Sequence, residues 1–373
     1  MSLNISQNPN TILPYTYTPN KLLAGVGQIP NAPENIKPKL KLLDNWIIIN
    51  SCDRDWYGNS TETPYKFNIN FGGVNSSNPQ GTNTIYNGTQ YSTITKQLHN
   101  IYSISADKII LSNRFQYSSY SNTSIIRFTS NPYIALIIKN ITFTGIGTNT
   151  LIDTCLAVFT PYTPIYESLS DVRYLEFKNA NSQKKEYLIV PEGNIPLLEI
   201  EIKNANNEIL GNNVKDVINI KNITPNISIT LPLPTPLITE YISIETEFFT
   251  DNEFKIGDTI IIKGYSYHNL AWNTTGNFNN FINRIIGHVI IGIDKSSNDN
   301  ILYNIIKISA PININRNTGI LERESWYEIF LSHFVDSGSI SGVKMINTNT
   351  QTHIMMNIKT ISKDDSGLFL NDI

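Results

Sequence analysis

The chain has 373 residues, of which 40% are hydrophobic and only 16% charged, with a formal net charge of −3. This length suits one large or two ordinary domains. The absence of a Lys/Arg tract argues against a direct nucleic-acid partner, and no apolar run reaches the roughly 18 residues of a membrane span.

Asn, Thr, Ser and Ile take the place of the missing charge. A surface poor in charge is weakly defended against association, which favours a protein packed against others. Cys52 and Cys155 form no CxxC pair, so a reduced, intracellular compartment is expected. The start, "MSLNISQNPN", has neither a charged n-region nor an apolar h-region. The Asn-x-Ser/Thr sequons then read as by-products of composition.

Residues 1–45 carry Pro9, Pro14, Pro19, Pro30, Pro33 and Pro38. Proline at that density blocks helix and central strand alike. Ile12, Leu13, Tyr15, Tyr17, Leu22 and Leu23 are more apolar than a solvated linker needs. The segment therefore reads either as a disordered leader or as an extended arm lying on a neighbouring surface.

From Trp46 the pattern is β. "WIIIN" runs into the polar knot "SCDRDW", then a turn-rich segment, then the alternating "YKFNINF". In an extended strand Asp53 and Asp55 share one side and Arg54 faces the other. Arg54 is then expected to reach a carboxylate or carbonyls elsewhere, in this chain or the next, while the aspartates suit capping of turn N–H groups. Asp53, Arg54, Asp55 and Trp56 are accordingly assigned to a structural latch in preference to catalysis.

Short runs follow, among them "DKIILSNRF", "YIALIIKNITF", "TCLAVF", "LLEIEI", "DVINI", "YISIETEFF", "DTIIIKGY", "GHVIIGI" and "LYNIIKI". All are rich in β-branched and aromatic residues and separated by Asn, Gly, Asp or Pro. So many short strands without intervening helices predict an all-β sandwich or barrel spanning 46–361, with a subdivision near 232–240. Gly257 and Asp258 form a structural turn. "ESWYEIFLSHFVDSG" reads as a helix with Trp326, Ile329, Phe330, His333 and Phe334 on one face, or alternatively as a strand. Residues 362–373 read as a flexible tail.

No histidine pair has metal-binding spacing, no GxSxG occurs, and Cys155 sits in an apolar run. Glu199, Glu201, Glu245 and Glu247 alternate along strands and read as solvated faces, opposite Leu198, Ile200, Ile244 and Phe248. No catalytic residue, cofactor or metal is assigned.

The order of several segments resembles that in minor capsid proteins of large nucleocytoplasmic DNA viruses. These segments are "INSCDRDW…TPYKFNINF", "NPYIALIIKNITFTGIGTN…TCLAVF", "IPLLEIEIKNANNEILG…DVINI", "FKIGDTIIIKGY", "INRIIGHVIIGI", "NTGIL" and "MINTNTQTHIMMNIK". Cys52 stands where those proteins often carry Ser. The resemblance covers roughly 46–360 and rests on the order of motifs that are individually weak. It implies a jelly-roll-type sandwich, one roll or two, with an extended N-terminal arm and no enzymatic activity. It also implies residence in the virion, assembly in the host cytoplasm, and proximity to the inner membrane. The implied partners are the major capsid protein and other minor capsid proteins, and further copies of the chain are a candidate partner too. The rival reading is a lectin-like or adhesin sandwich that binds glycans by stacking on Trp46, Trp56, Trp272 and Trp326.

Overall fold

The structure is a computed structural model. It describes residues 39–58, 61–71, 93–94, 98–112, 116–117, 125–126, 131–139, 141, 150–162, 174–180, 184–187, 192–195, 197–211, 215–230, 237–250, 253–267, 277–295, 302–314, 321–335 and 340–364. Ile12, Leu13, Tyr15, Tyr17, Leu22, Leu23 and Trp272 lie outside them.

The chain is all-β and almost wholly antiparallel, in two bodies. The first is a curled sheet. Its strands are β1 (Lys39–Asn50), β2 (Lys66–Phe71), β3 (Thr93–Ile94) and β4 (His99–Ser112). After two short paired strands, β5 (Gln116–Tyr117) and β6 (Ile125–Ile126), come β7 (Ile134–Ile138), β8 (Ala157–Pro161), β9 (Tyr174–Asn179), β10 (Lys184–Glu186), β11 (Glu192–Asn194) and β12 (Leu197–Asn204). The second body is a closed barrel of β13 (Val217–Thr230), β14 (Leu237–Phe249), β15 (Thr259–Lys263), β16 (His288–Asp294), β17 (Tyr303–Ser309) and, beyond the hairpin β18 (Ile312–Ile314)–β19 (Leu321–Arg323), β20 (Lys344–Asn347). The last strand, β21 (His353–Asp364), returns to the sheet. Sheet order is β1-β21-β4-β9-β8-β7-β12-β2-β3, with β10 and β11 also on β4, and barrel order is β13-β14-β17-β16-β15-β20.

Three boundaries differ from the sequence reading. β1 begins at Lys39, inside the expected arm, and β21 runs to Asp364, inside the expected tail, because the two strands pair along their whole length. The passage between bodies falls between β12 and β13. The proline-rich run near 232–240 instead joins β13 to β14, which are hydrogen-bonded neighbours.

Each body has its own apolar core. In the sheet, β4 changes phase twice: Ile101, then Ile104 and Ala106, then Ile109 and Leu111 are buried. Register shifts against β21 at each change supply the extra residue. β7 is buried on both faces. Ile134, Leu136 and Ile138 enter the main core, while Ala135 and Ile137 pack with Leu151 and Cys155 at helix α1 (Thr150–Thr154).

In the barrel, helices α2 (Asn277–Ile282) and α3 (Ser325–His333) pack on the core. Phe278 stacks on Phe330 with ring centroids 3.9 Å apart. The inward face of α3 is Tyr327 and Phe330, flanked by half-buried Trp326 and Phe334, whereas Ile329 is exposed. β14 also slips by one: Thr246 and Phe249 are buried and Phe248 is exposed, because an irregularity against β17 lies between Glu245 and Phe249. Strict alternation had placed Phe248 inside.

His288 is buried in the barrel core, its Nε2 3.0 Å from the Ile282 carbonyl. Burial, reinforced by the Arg284 charge, pushes its pKa down from 6.5 to about 4. The unfolded chain therefore takes up a proton between those values while the folded chain does not. The contribution of His288 is complete above pH 6.5 and falls as pH drops toward 4. We expect a loss of about 3 kcal/mol from this group over that window. Urea unfolding at stepped pH measures it, and His288→Gln, which keeps a donor for Ile282, flattens the dependence.

Candidate functional site

The polar knot lies where the two bodies meet. β1 ends at Asn50, whose side-chain oxygen accepts from Cys52 N–H at 2.9 Å and so caps a 3-10 turn over Ser51–Asp53. The turn replaces the extended geometry assumed from sequence and aims Arg54 inward. Arg54 is 1% exposed. Its Nη2 bonds Asp216 Oδ2 at 2.6 Å, and its Nη1 donates to the Ser51 carbonyl and to Gln351 Oε1, both at 2.8 Å.

The acceptors are themselves held. Gln351 Nε2 donates to Asp216 Oδ2 at 2.9 Å and to the Asn347 carbonyl at 2.6 Å. Ser51 Oγ donates to Gln351 Oε1 at 2.8 Å and accepts from Thr352 N–H at 2.9 Å. Asn347 N–H donates to the Asp216 carbonyl at 2.9 Å. Asp216 heads barrel strand β13, and residues 348–352 carry the chain from barrel strand β20 back to sheet strand β21. One guanidinium thus ties the turn after β1 to both of the chain's passages between sheet and barrel.

The residues after Arg54 continue onto the barrel. Trp56 is buried, with Lys263 Nζ 4.8 Å from its ring centroid. Tyr57 Oη donates to the Gly342 carbonyl, and Lys344 Nζ donates to the Tyr57 carbonyl, each at 2.8 Å. Gly264, at φ +85°, leaves room here: a Cβ would stand 2.3 Å from Tyr57 Oη. Asp55 Oδ1 accepts from Gly58 N–H at 3.0 Å. Asp53 is exposed, yet desolvation of its carboxyl by the surrounding turn raises its pKa.

Gly257 takes φ +88°, and its N–H donates to the Ile290 carbonyl at 2.8 Å. Asp258 Oδ2 accepts from Lys255 N–H and from Asn347 Nδ2, each at 2.8 Å. The Gly-Asp turn therefore reaches Asn347, one bond from the latch.

Burial pushes the Cys52 thiol up to about 11 and also raises that of Cys155, so neither favours a thiolate. Among the described residues no group of three His, Cys, Asp or Glu could hold a metal ion. Glu201 departs from expectation. It is 6% exposed, with Lys139, Lys66 and Lys203 ammonium groups at 2.8, 3.8 and 3.7 Å. Alternation along β12 places Lys203 on the face of Glu201, whereas Lys139, just past β7, and Lys66 of β2 come from neighbouring strands and are not revealed by it. A depression of about 300 Å³ beside it is lined by Ile137, Lys139, Ile141, Thr154, Glu201 and Lys203, among others. Glu245 is exposed, and Glu247 accepts from Asn219 Nδ2 at 2.8 Å.

Of the four tryptophans, Trp46 is 68% exposed, Trp56 is buried and Trp326 packs on the barrel core. A second exposed apolar group lies around β16: Ile256, Ile285, Ile286, Val289 and Ile291. No protein-family model, curated protein or solved structure matches the chain.

Arg54→Met leaves Asp216 buried without its cation. We expect the free energy coupling the two bodies to fall by about 3–5 kcal/mol. Adding Asp216→Leu removes the stranded charge and restores part of it. Urea unfolding of the single and double variants reads this coupling.

Proposed function

We propose that the chain is a structural minor capsid protein of a large DNA virus, acting by shape and adhesion to cement neighbouring capsomers or link the shell to the inner membrane. The observation that carries this reading is the state of the "SCDRDW" knot. Its Arg54 is fully buried and bonded to Asp216, Ser51 and Gln351, so it serves the integrity of a two-body block. The ordered series of capsid-like motifs adds to it, as does the apolar surface displayed around β16 and along β1. Large exposed apolar patches on soluble proteins commonly mark contacts with other macromolecules.

In this reading the partners are the major capsid protein and other minor capsid proteins, and the place of action is the virion, assembled in the host cytoplasm. The jelly-roll-type form belongs to the same reading. Tyr15, Tyr17, Leu22 and Leu23 of the arm serve as anchors on an adjacent subunit, ordering entropy being lost only on assembly. Glycan binding has less support: of the tryptophans described, only Trp46 presents an open ring.

Two measurements separate the readings. A chain lacking residues 1–36, a cut that stops short of β1, keeps the parental circular dichroism and melting profile but fails to enter particles. Incorporation at the parental level contradicts the capsid reading. The full chain co-sediments with capsid protein and gives no signal on a glycan array, and the reverse result favours the lectin alternative.

A further inference from the structure

β1 is twelve residues long and, among the described residues, is hydrogen-bonded on one side only, to β21. Ser51 N–H donates to the Thr352 carbonyl at 2.9 Å, and the register with β21 is unbroken from Lys39 to Asn50. That phase runs back along the strand: odd-numbered residues bond β21. Leu42, Asp44, Trp46 and Ile48 therefore turn their N–H and C=O groups to the free edge. The same residues carry side chains on the outer face, where Leu42, Trp46 and Ile48 are 55%, 68% and 67% exposed.

Natural sheets guard long edges with proline, bulges or charge. β1 has no proline and no register shift, and its charges, Lys39, Lys41 and Asp44, all lie in its first half. The half from Asn45 to Asn50 has none. An edge of this kind is built to pair.

We infer that the β1 edge is a homodimer interface, in which β1 of a second copy pairs antiparallel about a two-fold axis at Asn45. The strand is self-complementary in that register. Leu42 faces Ile48 of the second copy and Ile48 faces its Leu42, giving two apolar cross-strand pairs, and Asp44 faces Trp46. Shifting the axis to Asp44 would set Asp44 against its own copy, a like-charge contact. In the favoured register Asp44 keeps its internal partner, Lys359 Nζ at 3.3 Å, so no unpaired charge is covered. The free groups of Leu42, Asp44, Trp46 and Ile48 all find partners, because hydrogen-bonded pairs join even-numbered residues to even-numbered ones. The two sheets become one. A two-fold contact of this kind closes on itself and does not propagate into fibres. The dimer does not depend on the capsid assignment.

The test uses the full chain. Analytical ultracentrifugation is expected to give a dimer. Ile48→Lys, at a solvent-facing position that tolerates lysine in the monomer, weakens it by about a hundredfold or more through two symmetric contacts. Its circular dichroism stays that of the parent, and its urea midpoint matches the parent's at concentrations too low for the dimer to form. Asn45→Cys, at a closely spaced non-hydrogen-bonded pair, gives a disulfide-linked dimer on mild oxidation, while the parent, with Cys52 and Cys155, does not. A monomeric full chain overturns the proposal, as does a dimer indifferent to Ile48→Lys that fails to crosslink through Asn45→Cys. So does dimerisation seen only after residues 1–36 are removed, since the edge is then covered by the chain itself.

Discussion

The buried Arg54–Asp216 ion pair is the contact on which the two-body architecture depends. A guanidinium withdrawn from water is costly unless its donors are met. Here the charge is answered by Asp216, and two further acceptors, the Ser51 carbonyl and Gln351 Oε1, complete most of the fork. The acceptors come from the turn after β1 and from the two passages between sheet and barrel, at Asp216 and Gln351. The pair therefore does more than offset its own desolvation: it holds the turn after β1 against the start of β13 and the β20–β21 connection, where the chain passes between the bodies. Trp56 and Tyr57 extend the contact onto β15 and β20 with apolar area and hydrogen bonds that the ion pair alone lacks.

The β character was legible because it rests on local alternation and on punctuation by Asn, Gly and Pro. The same alternation failed wherever a strand slipped by a residue. β4 changes its buried parity twice, and β14 buries Phe249 in place of Phe248, and only the neighbouring strand reveals such a slip. The β1 boundary was missed for a related reason. Lys39 to Asn45 look like arm when read alone, and β21 is what makes them strand. The expectation that Arg54 reaches a distant acceptor follows from side-chain direction, but its partners do not. Asp216 and Gln351 lie 162 and 297 residues away along the chain. Likewise the lysines around Glu201 come partly from β7 and β2, so a glutamate that reads as solvated is enclosed.

Among the described residues, this charge-poor chain groups exposed apolar side chains on the outer face of β1 and around β16, besides scattered ones such as Tyr162, Phe248, Ile329 and Val335. Both groups lie on regular strands or the turns beside them, so the surfaces they present are held rigid. Rigid presentation lowers the ordering cost of association. An adhesive protein benefits from that, and it benefits equally from a latch that keeps two such surfaces at a fixed separation. Arg54 and Asp258 are bonded into this frame.

The claim that Arg54 makes one rigid block of sheet and barrel is tested most directly by calorimetry of Arg54→Met beside the parent chain. The account predicts a single cooperative transition for the parent and two separated transitions for the variant, one for each body. A variant that melts in one transition at the parental temperature would contradict it.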